Sequence, residues 1–99
     1  MTVELEKEAE HEMLEAARYY EAHQSGLGSD FLDEVEVGLG RIAAAAGRFA
    51  LYRGSKIVRS VRLDRFPYRL LFVLDLQRAV VVAVMHMHRR PDYWKRRVR

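Results

Sequence analysis

Hydrophobic and polar positions follow two different rhythms along the chain. Thr2-Val3-Glu4-Leu5 alternates and predicts a short edge strand. From Glu6 to Ala22 the apolar or small residues are Ala9, Met13, Ala16, Ala17 and Tyr20, at a spacing that puts them on one face of a helix. Its acidic residues crowd the first turns, where they suit the positive end of the helix dipole, and Ser25-Gly26 breaks the run, so this helix is expected to end near His23. Leu27, Phe31, Val35, Leu39 and Ile42 form a second stripe, with Asp33, Glu34, Glu36 and Arg41 on other faces, which predicts a second amphipathic helix to about Ala46. Two helices joined by so short a loop pack as a hairpin. Gly38 and Gly40 each weaken the second helix by up to about 1 kcal/mol relative to Ala, so both are read as points of close helix packing.

After Lys56 the period becomes two. Ile57, Val61 and Leu63 lie on one side of a half-exposed strand and Ser60, Arg62 and Asp64 on the other. Phe66-Pro67 connects it to two nearly continuous apolar runs, Tyr68 to Asp75 and Ala79 to Met87, joined by Leu76-Gln77-Arg78. These read as an antiparallel hairpin holding the most buried strands of a sheet. Arg90-Pro91-Asp92 ends the last strand, and Tyr93 to Arg99 forms a basic tail with room for one helical turn, anchored by Trp94. The predicted fold class is α+β: a short N-terminal strand, a helical hairpin and three strands (β-α-α-β-β-β), with the helices packed on a small antiparallel sheet and a short C-terminal turn or helix.

Ninety-nine residues, 49% of them hydrophobic, suit one domain over residues 1–99. A chain this short buries only about two-thirds of its unfolded surface, so a stabilising partner is a reasonable expectation. The chain has no cysteine, which removes disulfides and Cys-ligated metal sites and fits a reducing compartment. Its longest apolar runs fall far short of the roughly 20 residues of a membrane helix, and Met1 to Glu15 is too acidic for a signal peptide. No membrane association is expected, and the localisation expected is cytoplasmic.

The net charge of +3 conceals a division: residues 1–50 carry 4 basic and 11 acidic side chains, and residues 51–99 carry 13 and 3. The halves are therefore −7 and +10. Two solvated faces would satisfy this pattern, but so complete a segregation points to an anionic partner for one of them. Arg59, Arg62, Arg65 and Arg69 are spread over the first two strands of the basic half, and Arg89, Arg90, Lys95, Arg96, Arg97 and Arg99 follow the third. Converging on one sheet edge, they would bind phosphate or carboxylate, with Tyr68, Tyr93 and Trp94 available to stack on bases. RNA and an acidic protein segment both remain open as the ligand.

His86, His88 and Tyr93 form the one cluster able to move protons near neutral pH. RNA cleavage needs a base for the 2′-hydroxyl, an acid for the leaving 5′-oxygen and a cation for the phosphorane; His86, Tyr93 and Arg69 could fill those roles. The alternative is a packed His86 whose ring hydrogen-bonds backbone. His86-x-His88 lacks a third metal ligand other than Asp92 and sits among cations, so no metal is expected. Gly26-Leu27-Gly28 and Gly38-Leu39-Gly40 lack the context of phosphate-cradling loops, and no cofactor is implied.

Glu15-Ala16-Ala17-Arg18-Tyr19-Tyr20-Glu21, then Gly26-Leu27-Gly28 with Phe31-Leu32, resembles the helical hairpin of a known family. Arg65-Phe66-Pro67-Tyr68-Arg69-Leu70-Leu71-Phe72, Val82-Ala83-Val84-Met85-His86 and Arg89-Arg90-Pro91-Asp92-Tyr93-Trp94 with Arg97 continue the likeness in order. These motifs are similar to the RelE/ParE superfamily of type II toxins. The resemblance implies the toxin half of a bacterial toxin–antitoxin pair, held inactive by a cognate acidic antitoxin that wraps it and that alone binds operator DNA.

Within that superfamily, RelE-like members cleave mRNA on the ribosome and ParE-like members inhibit DNA gyrase. Against the RelE-like pattern, Arg62, Arg69 and Tyr93 match in place. Met87 stands where an arginine stabilises the phosphate and Ser60 replaces a second basic residue, which His86 could offset. The Phe-Pro-Tyr-Arg and His-x-x-Arg-x-Pro-x-Tyr-Trp arrangement is more similar to the plasmid-stabilisation, ParE-like branch. The resemblance thus implies a gyrase inhibitor, with target-binding residues Arg59, Arg62, Arg65, Arg69, Arg89, Arg90, Arg96 and Arg97. The alternatives are a ribosome-dependent endoribonuclease acting through Arg62, Arg69, His86 and Tyr93, or a non-catalytic RNA-binding module.

Overall fold

The structure, a computed structural model, describes residues 1–98; Arg99, counted above with the basic tail, lies outside the described residues. The chain runs β1 (Thr2–Leu5), α1 (Lys7–His23), α2 (Leu27–Ala45), β2 (Val58–Arg62), β3 (Tyr68–Asp75) and β4 (Arg78–His86), with single 3-10 turns at Ala46–Arg48 and Lys95–Arg97. The four strands form one sheet in the order β1-β4-β3-β2. β2, β3 and β4 are antiparallel neighbours as the sequence predicts. β1 departs from the antiparallel expectation: it joins β4 in parallel, Thr2 opposite Arg78 and Leu5 opposite Val81, so the sheet is mixed. The β3–β4 hairpin leaves the outer edge of β4 open, and the Glu6 N–H, donating to Val81 O at 2.9 Å, carries the chain from that edge directly into α1.

The helical stripes bury as their spacing requires. Ala9, Ala16, Phe31, Val35 and Ile42 pack with Val61, Leu63, Leu70, Phe72, Val81 and Val84 in the core between hairpin and sheet. Edge-on aromatic contacts, Tyr20 to Phe66 at 4.8 Å and Phe31 to Tyr68 at 5.0 Å between ring centroids, tie the hairpin to the Phe66-Pro67 connection. Contacts of this geometry contribute roughly 0.5–1.5 kcal/mol beyond area burial. Of Gly38 and Gly40, only Gly38 marks close packing, and it does so against the sheet side: a Cβ there would meet Leu70 Cδ1 at 2.8 Å. Gly40 faces open space, which corrects the expectation for it. The tight approach between the helices is at Gly28, where a Cβ would lie 2.5 Å from the Ala17 carbonyl oxygen.

The sheet has a second covered face. Tyr52, Val58, Leu71, Val82, Ala83, Met85 and Trp94 form a separate cluster there, which explains why β3 and β4 read as nearly unbroken apolar runs. Val58, not Ile57, is the buried residue at the start of β2; Ile57 is half exposed, against its place in the predicted alternation. That alternation starts one residue too early, because the strand itself begins at Val58.

A β-bulge sets which side chains of β4 face the helices. Leu71 pairs with Ala83 and Phe72 with Val81, so Val82 has no residue opposite it. Val82 and Ala83 consequently point to the same far face, and the parity of the strand reverses. Ala79 and Val81 face the helices before the bulge and Val84 does so after it.

The charge division becomes a division between layers: the acidic half supplies the hairpin, and the basic half the three antiparallel strands and the tail. Asp30–Arg65 and Glu12–Arg97 pairs join the layers, and Glu4–Arg78 ties β1 to β4 within the sheet. Among the described residues no helix is long and apolar enough to cross a membrane.

Candidate functional site

β1 pairs only with Arg78 to Val81, and beyond that point the outer edge of β4 has no strand beside it. Side chains occupy the edge instead. Glu12 Oε1 accepts the Val84 N–H at 3.0 Å, and Arg97 Nη1 donates to the Val82 carbonyl at 2.9 Å. A bidentate pair closes the arrangement, Arg97 Nη1 and Nη2 each 3.0 Å from a carboxylate oxygen of Glu12. Charged groups bonded to an edge in this way keep it from pairing freely with another strand. Between α1 and the end of β4 lies an open groove of about 760 Å³, whose walls include Glu8, His11 and Tyr19 from α1 and Tyr68, His86 and Arg89 from the sheet side.

His86 belongs to this groove because of the bulge, which turns it toward the helix layer, its ring edge-on to Tyr68 at 5.0 Å. Its Nδ1 accepts the His88 backbone N–H at 3.0 Å, leaving the proton of the neutral ring on Nε2. The packed, backbone-bonded alternative thus describes its contacts. Burial, reinforced by the neighbouring His88 ring at 5.3 Å, lowers its pKa and favours the neutral imidazole. His88 lies beyond β4 in the following turn, not on the strand, although the two rings do meet.

Tyr93 packs against the far-side cluster under two guanidinium groups of the groove wall, Arg89 4.0 Å and Arg97 5.1 Å from its ring centroid. Its hydroxyl is buried and, among the described residues, has no hydrogen-bond partner. Burial raises its pKa far above the ordinary phenol value, and the Glu12 carboxylate, close by but not hydrogen-bonded to it, acts in the same direction. Tyr68 is pushed up to about 12 by burial and by Tyr20. Neither phenol is poised to exchange a proton near neutral pH.

The other sequence-predicted residues do not converge on one edge. Arg62 and Arg69 are register partners on the sheet face away from the helices, where Arg69 Nη1 donates to Ser60 Oγ at 3.2 Å. The serine in place of a basic residue therefore holds this arginine. Arg59 faces the helix layer and donates to the carbonyl oxygens of Gly47 and Phe49 at 3.3 and 2.7 Å. Arg65 is 3.6 Å from Asp30, and Arg90 Nε is 3.6 Å from Asp92. Arg96 and Lys95 are exposed on the terminal turn. The structure thus brings Arg89 and Arg97 together over Tyr93, which packs against the far-side cluster, and separates His86 from Arg62 and Arg69 across the thickness of the sheet. Among the described residues no cluster of three or more His, Asp or Glu could hold a metal ion.

Sequence reasoning missed Glu12, which nothing distinguishes from the other glutamates of α1 until the open β4 edge is placed beside it. It also missed the Arg53-Gly54 turn, although an X-Gly pair ahead of a strand is a turn signal.

No protein-family model matches the sequence, and no curated protein matches it. Among solved structures, the chain is similar to a chain of the chromosomal ParDE TA system from P. aeruginosa. The TM-score is 0.66 at 13% identity, and the match covers 89% of this chain and 97% of that one. The likeness is one of fold and agrees with the α+β architecture described above.

Proposed function

We propose that the chain is the toxin of a type II toxin–antitoxin pair, that it arrests growth in the cytoplasm by inhibiting DNA gyrase, and that a cognate acidic antitoxin neutralises it. The observation that carries the toxin reading is the match over nearly the whole chain to a ParDE system, in agreement with the ordered motifs of both halves. The gyrase branch is supported by the dispersal of the proton-transfer set. Arg62 and Arg69 lie on one face of the sheet, His86 points to the other, and the Tyr93 hydroxyl is buried. Inhibition by surface complementarity needs no general acid or base, whereas in-line cleavage of RNA needs both beside one phosphate.

The antitoxin would lay an apolar helix or strand across the helices or the sheet edge, with acidic groups near Arg62 or Arg69 on the far face. Operator DNA would be bound through the antitoxin alone. One observation favours the endoribonuclease alternative: His86 is held neutral in an open groove next to Arg89. A non-catalytic RNA-binding module is the remaining reading.

Induction without the antitoxin, followed by parallel assays of plasmid supercoiling and mRNA integrity, tests the proposal. Growth arrest with altered supercoiling and intact transcripts is expected. Cuts within codons would replace it with the ribonuclease reading, and continued growth would remove the toxin reading.

A further inference from the structure

We infer that the cleft between the turn at Arg53-Gly54 and the C-terminal tail docks an acidic protein segment carrying one large apolar side chain. The cleft encloses about 720 Å³ and is separate from the groove beside α1. Its floor is apolar, with Val58 and Trp94 buried beneath it and Val98 alongside. Ile57 stands on its wall 50% exposed. The charged groups around it are Arg53, Arg90 and Lys95 against a single acid, Asp92, which already sits 3.6 Å from Arg90. Among the described residues, Arg53 and Lys95 have no ion pair. Unneutralised cations around an apolar floor complement an occupant that is at once acidic and apolar.

The turn is an independent sign. The Ser55 N–H donates to the Tyr52 carbonyl at 2.9 Å, and both central residues are left-handed, φ 40° at Arg53 and 79° at Gly54. Turns of this form favour Asn, Asp or Gly at the first central position, because a longer side chain there is strained. Here that strained position carries a guanidinium at the wall of the cleft. Nucleic acid fits the site less well. The Trp94 indole is 4% exposed and its N–H is given to the Pro91 carbonyl at 2.6 Å, so the one aromatic ring of the cleft offers no open face for a base.

Fluorescence anisotropy on the full chain tests the inference directly and reads binding, not toxicity, so its outcome is independent of the target proposed above. The probes are a labelled Glu/Gly peptide with one central Leu, the same peptide with Ser for Leu, and a single-stranded oligonucleotide of equal charge. The Leu peptide is expected to bind in a salt-dependent manner, about tenfold more tightly than the Ser peptide. Lys95→Glu and Ile57→Ser should each weaken it by about tenfold. Arg53→Gly should weaken it severalfold while the thermal midpoint holds or rises, because glycine relieves the left-handed turn; loss of the site is thereby separated from loss of the fold. Equal binding of the two peptides, tighter binding of the oligonucleotide, indifference to Lys95→Glu and Ile57→Ser, or no binding by any probe would each overturn the inference.

Discussion

Glu12 and Arg97 are 85 positions apart in the chain, yet their side chains meet in a two-pronged ion pair and are only 14% and 17% exposed. Each also holds a backbone group of the unpaired β4 edge, so the pair and the edge stand or fall together. Removing one partner leaves a charge and a peptide group without compensation. Glu12→Ala is therefore expected to cost about 3 kcal/mol in urea unfolding. Arg18→Ala, which breaks a pair exposed on both sides, should cost less than about 0.5 kcal/mol. Equal effects would show that the Glu12 pair is no more than a surface contact.

Tyr93→Phe removes a buried hydroxyl that has no partner among the described residues and keeps the ring under Arg89 and Arg97. Stability should hold or rise slightly. Growth arrest should survive if the protein inhibits gyrase, while charge reversal at Arg96 should weaken it. A ribonuclease using Tyr93 would instead lose about 100-fold in cleavage. A stably folded, non-toxic Tyr93→Phe protein would sink the gyrase reading.

The pKa of the His86 imidazole is held below the ordinary histidine value of 6.5 by burial and by His88. A lowered folded-state pKa means that the unfolded chain binds a proton first as the pH drops. The contribution is therefore complete above about 6.5 and is lost as the pH falls through the folded-state pKa. His86→Gln should reduce the slope of stability against pH in that window. An unchanged slope in denaturant titrations at stepped pH would show that the group is not the source.

The glycines of the hairpin should respond with opposite signs. Gly40→Ala meets nothing within 4 Å and should raise stability by up to about 1 kcal/mol through helix propensity. Gly28→Ala drives a methyl against the Ala17 carbonyl and should lower stability by about 1–3 kcal/mol as α1 and α2 are forced apart. Thermal midpoints of the two single variants check both.

Both helices were legible because their stripes, such as Phe31, Val35 and Ile42, repeat over several turns, and local spacing alone determines which face is apolar. The hairpin of β3 and β4 was legible for the same reason. The direction of β1 was not, since four alternating residues fit a β4 edge in either orientation. The bulge at Val82 was invisible because Val80, Val81, Ala83 and Val84 surround it and either parity reads as apolar. Yet that residue decides the candidate site: it places His86 and Arg69 on opposite sides of the sheet, although both motifs were in plain view. Ile57 was misassigned because β-branched residues look alike to a period-two pattern, and only the far-side cluster reveals that Val58 is the buried one.

The pairing of β1 with β4 also governs when the molecule can be finished. Thr2 finds its neighbour only at Arg78, and Glu12 waits for Arg97. During synthesis the helical hairpin can form early, but its sheet-facing stripe has nothing to lie on until the last third of the chain has left the ribosome. Completion of the domain therefore waits until Arg97 can reach Glu12. A transcript cut short ahead of Arg97 would yield a chain with an unguarded strand edge, a substrate for proteases and not a working protein.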